Sequence, residues 1–167
     1  MSTQHQSRLE EAKSDALAGR WKEALRIVDS VLLTSPNDLD ALRLKGNVIE
    51  LEIFDEERES RQKFVQSGRI QEAADCYEKI LAIEPSNLLA LVDLGTHWKN
   101  RGVFQRALSY YERALALLKA GAYGQSWDDE MEEMMNGQIE IARELGDEKT
   151  AVDLTERFRS VRAARIG

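Results

Sequence analysis

The sequence has little cysteine and no long apolar run. Cys76, the one cysteine among 167 residues, cannot form an internal disulfide. No apolar run approaches the roughly 20 residues of a transmembrane helix, and residues 1–15 lack the apolar segment of a secretory signal. These absences predict a cytoplasmic protein with neither a membrane span nor a disulfide framework.

Positive charge is also in short supply. The chain has 23 Lys and Arg residues against 30 Asp and Glu residues, which gives a net charge of −7. Nucleic acids attract basic surfaces, so this balance argues against a nucleic-acid ligand. Phosphate-loop, nucleophile-elbow and metal-ligand spacings are missing as well. We therefore predict that the protein is not an enzyme and has no catalytic residue, cofactor or metal site.

Proline is rare, with two residues, and alternating β-branched stretches are few. The charged residues, 32% of the chain, are mainly the helix formers Glu, Arg and Lys, and 43% of the residues are hydrophobic. This composition predicts an all-α domain that can bury a core.

A spacing of 34 residues recurs along the chain. The clearest pairs are Gly68 and Gly102, Ala73 and Ala107, and Tyr77 and Tyr111. Gly46 precedes Gly95 by 49 residues, which is 34 plus 15, so fifteen extra residues lie between Gly46 and Gly68. Gly146 follows Gly102 by 44 residues, and we place its ten extra residues in a loop over 119–127.

The best-defined segment reads Leu91-x2-Leu94-Gly95-x2-Trp98 and continues with Ala107-x3-Tyr111. Its period and pattern resemble the tetratricopeptide repeat family. The resemblance implies one domain over 1–167, a right-handed superhelical solenoid of antiparallel helix pairs. It would have four repeats, with a helical insertion in the second. The repeat bounds are approximately 5–36, 37–85, 86–119 and 126–165.

Turn residues predict where the helices begin and end. Gly19, Gly68, Gly102 and Gly146 each follow a helical run, as a left-handed C-cap requires. Segments 35–38 and 84–87 contain Pro and N-capping side chains, and Ser126-x2-Asp129 resembles a capping box. The predicted helices span 7–18, 21–34, 38–54, 70–83, 87–100, 104–119, 127–145 and 148–164.

The insertion lies near residues 51–66, a charged stretch without a helix breaker. We predict a projecting hairpin that bends near Asp55–Ser60 and packs Phe54, Phe64 and Val65 at its base. A separate arm is the alternative. With either geometry, two roles are open. The stretch is a solvated insertion that the fold tolerates, or it binds a partner.

The family resemblance implies that the first helix of each repeat lines a concave groove for a peptide or protein segment. Each first helix has a small residue where it crosses its neighbour: Ala12, Gly46 or Gly95. Helical spacing from these small residues then predicts the groove residues. They are Leu9, Lys13, Arg43, Asn47, Leu89, Val92, Thr96 and Lys99. The leading function is thus a protein-interaction scaffold or adaptor. The alternative is a structural homo-oligomer that uses Trp127 and the methionines near it, or the insertion.

Some members of the family hold a C-terminal carboxylate in a clamp of Lys, Asn and Arg. Arg43 and Asn47 match the first positions of such a clamp, but Asp93 and Glu133 stand where neutral or basic residues belong. Acidic groups repel a carboxylate, so we predict that this chain is not a clamp-type chaperone binder.

Other reactive or charged residues fit structural roles. We interpret His97 and Cys76 as packed helical residues, and His5 as part of a terminal tail. The acidic run over 127–135 suits a helix N-terminus, and the arginines of 156–165 suit a helix C-terminus. A docking surface at either place is the alternative, with Met131, Met134 and Met135 as adaptable contacts.

Overall fold

A computed structural model describes residues 3–60, 67–119 and 128–166, which form helices joined by short turns, with no strand in these ranges. The helices are α1 (Thr3–Leu17), α2 (Trp21–Thr34), α3 (Leu39–Ser60), α4 (Ser67–Ile83), α5 (Leu88–Asn100), α6 (Phe104–Lys119), α7 (Asp128–Glu144) and α8 (Glu148–Ile166). They belong to two compact units, here the N-terminal unit (Met1–Ala90) and the C-terminal unit (Leu91–Gly167). The prediction of an all-α fold is confirmed. In the ranges described, no helix is long and apolar enough to span a membrane.

Glycine and capping side chains end and begin most helices where the sequence predicts. Gly19, Gly102 and Gly146 have φ values of +73°, +71° and +72°, the left-handed conformation of a C-cap. Asp38 Oδ1 accepts a hydrogen bond from the Ala41 amide at 3.0 Å, and Asn87 Oδ1 accepts one from the Ala90 amide at 3.0 Å. These contacts satisfy amides that would otherwise lack an acceptor at a helix start.

Gly68 departs from this pattern. It lies inside α4 rather than after a helix, and nothing stands within 4 Å of the position its Cβ would take. The prediction of a C-cap at Gly68 is therefore wrong. The residues that precede it, 61–66, lie outside the described residues, as do Ser126 of the predicted capping box and Trp127.

The core of the N-terminal unit consists of apolar stripes at helical spacing. One cluster joins α1, α2 and α3 through Leu9, Ala12, Val28 and Val48. A second joins Ile49 and Ile53 of α3 with Ala73 of α4. Because each stripe meets its neighbour through small residues such as Ala12 and Ala73, the helix backbones can approach closely.

The rings of Tyr77 and Tyr111, which stand 34 residues apart, each lie against glycine of a neighbouring helix. A Cβ on Gly46 would lie 2.6 Å from Cε1 of Tyr77. A Cβ on Gly95 would lie 2.3 Å from Cε1 of Tyr111, and one on Gly137 would lie 2.7 Å from Cε2 of the same ring. The rings of Tyr77 and Tyr111 thus rest directly on glycine backbone.

Helix α3 is longer than predicted. It runs unbroken for 22 residues to Ser60, so the predicted bend near Asp55–Ser60 is wrong. Phe54 is 51% exposed instead of packed at a base. Glu52 of α3 accepts a charge-assisted hydrogen bond from Arg69 of α4, which holds the two long helices together beyond the Ile49 cluster. Phe64 and Val65 lie outside the described residues, and the status of this stretch as an insertion stays a prediction.

Candidate protein-binding surface

Four of the predicted groove residues line one polar pocket of the N-terminal unit. Leu9 and Lys13 reach it from α1, and Arg43 and Asn47 reach it from α3. The pocket has a volume of about 190 Å³, and its remaining lining residues are Gln6, Glu10, Asp40 and Leu44. Spacings of three and four residues place each set on one face of its helix.

The pocket has an apolar floor and a charged rim. Leu9 is only 4% exposed and belongs to the α1–α3 core. Lys13 Nζ donates to Glu10 Oε1 at 2.7 Å, and both side chains are more than half exposed. Asn47 Oδ1 accepts a hydrogen bond from the Tyr77 hydroxyl at 2.8 Å. The wall at Asn47 is therefore fixed by the same tyrosine that packs on Gly46.

In the C-terminal unit, Thr96 and Lys99 of α5 contact acidic residues of α7. Thr96 Oγ1 donates to Glu133 Oε1 at 2.7 Å, and Lys99 Nζ pairs with Glu140 Oε2 at 2.5 Å. Thr96 Oγ1 also lies 3.0 Å from the Tyr111 hydroxyl. Burial raises the pKa of Tyr111 to about 12, so the phenol is neutral at physiological pH.

The two remaining predicted groove residues differ in depth. Leu89 is partly buried in the first turn of α5, in the N-terminal unit. Val92 is 1% exposed and belongs to the packed interior of its unit. Helical spacing predicts the face of a helix on which a residue lies, but burial depends on what packs against that face. Val92 therefore does not face solvent.

His97 and Cys76, two of the chemically reactive side chains, are buried. His97 is buried and packs edge-on against Trp98, with ring centroids 4.7 Å apart. Burial raises the pKa of Cys76 to about 11, which keeps the thiol protonated at neutral pH and unreactive as a nucleophile. Over the described ranges, no group of three His, Cys, Asp or Glu side chains is arranged to hold a metal ion.

Comparison with known proteins agrees with the repeat pattern of the sequence. Residues 90–121 match the family model of the tetratricopeptide repeat. The chain resembles the crystal structure of the Sgt2 TPR domain from Aspergillus fumigatus, with a TM-score of 0.64 and 16% identity. That match covers 89% of this chain and 83% of the other.

A second similar structure is a kinesin light chain-like protein of Podosopora anserina with nearly identical TPR-like repeats. Its TM-score is 0.66 at 20% identity, and the match covers 95% of this chain and 75% of the other. No curated protein matches the sequence. The chain therefore contains a tetratricopeptide repeat and has the tetratricopeptide repeat fold, which confirms the resemblance drawn from Leu91 to Tyr111.

Proposed function

We propose that this chain is a non-catalytic scaffold or adaptor that binds a peptide or a protein segment on the face lined by Leu9, Lys13, Arg43 and Asn47. The observation that carries the proposal is the convergence of these four side chains on one pocket. Proteins with the tetratricopeptide repeat fold are, in general, protein-interaction scaffolds. The fold and the pocket thus support the same class of function.

The size of the pocket favours a peptide side chain over a free small molecule. Small-molecule and cofactor sites enclose roughly 300–1,000 Å³, whereas this pocket encloses about 190 Å³. An apolar floor at Leu9 suits one aliphatic anchor. The basic groups of Lys13 and Arg43 stand beside the carboxylates of Glu10 and Asp40. The expected ligand therefore has one apolar anchor flanked by polar residues of both signs.

The α5–α7 contacts of the C-terminal unit argue against a carboxylate ligand there. Glu133 and Glu140 are exposed acidic groups that already accept hydrogen bonds from Thr96 and Lys99. A ligand carboxylate would meet like charge at these positions. We accordingly propose that partners are recognised without a carboxylate clamp.

Capture of partners from the native host tests the proposal when wild type is compared with a charge-reversed pocket. The test variant carries Lys13→Glu and Arg43→Glu. The control carries Lys22→Glu and Arg26→Glu, two exposed residues of α2 with the same change in net charge. We expect the pocket variant to capture at least about tenfold less of each partner than wild type does, which corresponds to a loss of roughly 1.4 kcal/mol or more in binding free energy. The control should capture as much as wild type.

Circular dichroism of both variants checks that the helices remain folded. If the pocket variant is folded and still retains every partner, the face lined by Lys13 and Arg43 is not the binding site.

A further inference from the structure

The C-terminal unit contains a second, larger groove that the proposed peptide site does not use. It encloses about 750 Å³ between α6, α7 and α8. Its apolar wall combines Leu108 and Leu115 of α6, Met131 and Met135 of α7, and Leu154 of α8. Leu145, the residue that follows α7, also lines the groove and is 56% exposed. Exposed apolar residues that line a groove are a feature of ligand and partner sites.

This groove lies on the opposite side of α7 from the residues that contact α5. Successive residues in a helix are rotated by about 100°. Glu133 and Glu140, which bond to Thr96 and Lys99, therefore fall on one stripe. Met131 and Met135 fall on a stripe about half a turn away. The groove is thus a separate surface from the predicted concave face.

The volume of the groove is large enough for part of a helix. A volume of about 750 Å³ is roughly that of two turns of a helix about 10 Å in diameter. A helix that docks in such a groove inserts apolar residues spaced i, i+3 or i+4, and i+7. Methionines suit this use because their unbranched side chains adjust to the residues they meet.

We propose that the groove between α6, α7 and α8 docks a cationic amphipathic helix of another protein. Charge complementarity identifies the occupant. The charged residues that line the groove are Glu112, Asp147 and Arg157, an acidic excess. Near Asp147 the exposed pair Glu144 and Glu148 is matched by the exposed Arg143 and Lys149, so the acidic excess comes from the lining residues themselves.

The same charges disfavour a second copy of this chain as the occupant. The chain has a net charge of −7, so two copies repel each other. The helix with the most Lys and Arg residues, α8, already packs Ala151 and Leu154 against Ile139 and Ala142 of α7. A helix with lysine or arginine beside a continuous apolar stripe matches the groove better.

Fluorescence anisotropy with two labelled synthetic peptides tests the proposal. Both peptides are about 18 residues long and carry leucines at i, i+4, i+7 and i+11. The other faces carry lysine in one peptide and glutamate in the second. We expect the lysine peptide to bind the full chain with a micromolar Kd. The glutamate peptide should bind at least about tenfold more weakly, because it meets Glu112 and Asp147.

Two variants locate the binding site. Met135→Lys places a cation in the groove and should weaken the lysine peptide at least about tenfold. Glu112→Lys changes an exposed residue of the rim and should weaken it about threefold to fivefold. The matched controls are Leu33→Lys and Glu11→Lys, exposed positions of the N-terminal unit, and both should bind as wild type does.

Three outcomes would overturn the proposal. The first is equal binding of the two peptides. The second is unchanged binding of the lysine peptide by both groove variants; where Met135→Lys fails to fold, Glu112→Lys decides alone. The third is a dimer of wild type at micromolar concentration, measured by sedimentation, that Glu112→Lys or Met135→Lys dissociates. A second copy of the chain would then occupy the groove.

Discussion

Tyr77 and Tyr111 stand 34 residues apart in the repeat pattern, yet their surroundings differ. The Tyr77 ring rests on Gly46, and its hydroxyl donates to Asn47. The Tyr111 ring lies between Gly95 and Gly137, and its hydroxyl meets Thr96. One repeat position therefore joins two helices in the N-terminal unit through Gly46, and three helices in the C-terminal unit through Gly95 and Gly137. The same repeat position should therefore tolerate substitution differently in the two units, because the Tyr111 ring is held on both sides and the Tyr77 ring rests on one glycine.

The largest expected effect comes from filling a glycine contact. Gly95→Ala would place Cβ 2.3 Å from the Tyr111 ring, and the ring cannot move away because Gly137 lies on its other side. We expect a loss of about 2–3 kcal/mol in the free energy of unfolding, measured by urea denaturation. Gly46→Ala should cost less, because the structure shows one glycine contact on the Tyr77 ring.

Gly68→Ala is the matched control, since it lies in α4 with open space around it. Alanine has the higher helix propensity, so this variant should gain up to about 1 kcal/mol. The double variant Gly95→Ala with Tyr111→Leu should recover part of the loss. If Gly95→Ala is as stable as wild type, the packing of Tyr111 described above is incorrect.

Removal of the hydroxyl groups gives the next largest effect. Tyr77→Phe takes a donor from Asn47 Oδ1 at 2.8 Å and should cost about 1 kcal/mol. Tyr111→Phe should cost about half as much, because Thr96 Oγ1 keeps its hydrogen bond to Glu133. Chemical denaturation of the two variants in the same buffer measures the difference, and a larger cost at Tyr111 would reverse the comparison.

The smallest expected effect concerns ion pairs. Lys45 of α3 lies 3.0 Å from Asp29 of α2 and 3.1 Å from Glu72 of α4, whereas Lys99 of α5 pairs with Glu140 of α7 at 2.5 Å. Lys45→Met should cost up to about 1 kcal/mol, and Lys99→Met should cost about 0.5 kcal/mol or less. Thermal melts at low and high salt should show the larger salt sensitivity for the Lys45 network.

The pH dependence of the Lys45 network has a defined sign. Burial alone would raise the pKa of Glu72, but hydrogen bonds from Lys45 and Arg69 outweigh burial and lower it. Burial alone would lower the pKa of Lys45, and its bonds to Asp29 and Glu72 raise it instead.

A carboxyl with a lowered pKa stabilises the fold above its unfolded pKa, near 4.5 here, and this contribution is lost as pH falls through the folded value. A lysine with a raised pKa stabilises the fold below 10.5, and its share is lost as pH rises through the folded value. Lys45→Met should therefore flatten the acid limb of the stability curve, in melts at pH 3 to 7. An acid limb that is identical in wild type and variant would contradict the network.

Much of the fold could be predicted because its boundaries depend on local chemistry. Gly19, Gly102 and Gly146 adopt the positive φ of helix ends, and Asp38 and Asn87 cap the next helix. The end of α3 could not be predicted in the same way. The bend predicted near Asp55–Ser60 was wrong because the charged residues 55–60, which favour helix, continue α3.

The candidate site could be predicted only in part. Repeat spacing predicts the faces of α1 and α3 that carry Lys13 and Arg43, because each face depends on one helix. The burial of Val92 and the groove beside Met135 depend on how closely other helices pack. The cluster of methionines indicated a possible contact surface in α7. The leucines of α6 that complete the groove have the spacing of any packed helix, so the sequence alone could not identify them.

Cys76 has a practical consequence for measuring these differences. It is the chain's one cysteine, it is 7% exposed in α4, and its pKa of about 11 keeps it protonated at pH 8. A thiol-modifying reagent will therefore react quickly only in molecules whose N-terminal unit has opened. The rate of modification, followed without any engineered label, reports the local opening free energy of that unit.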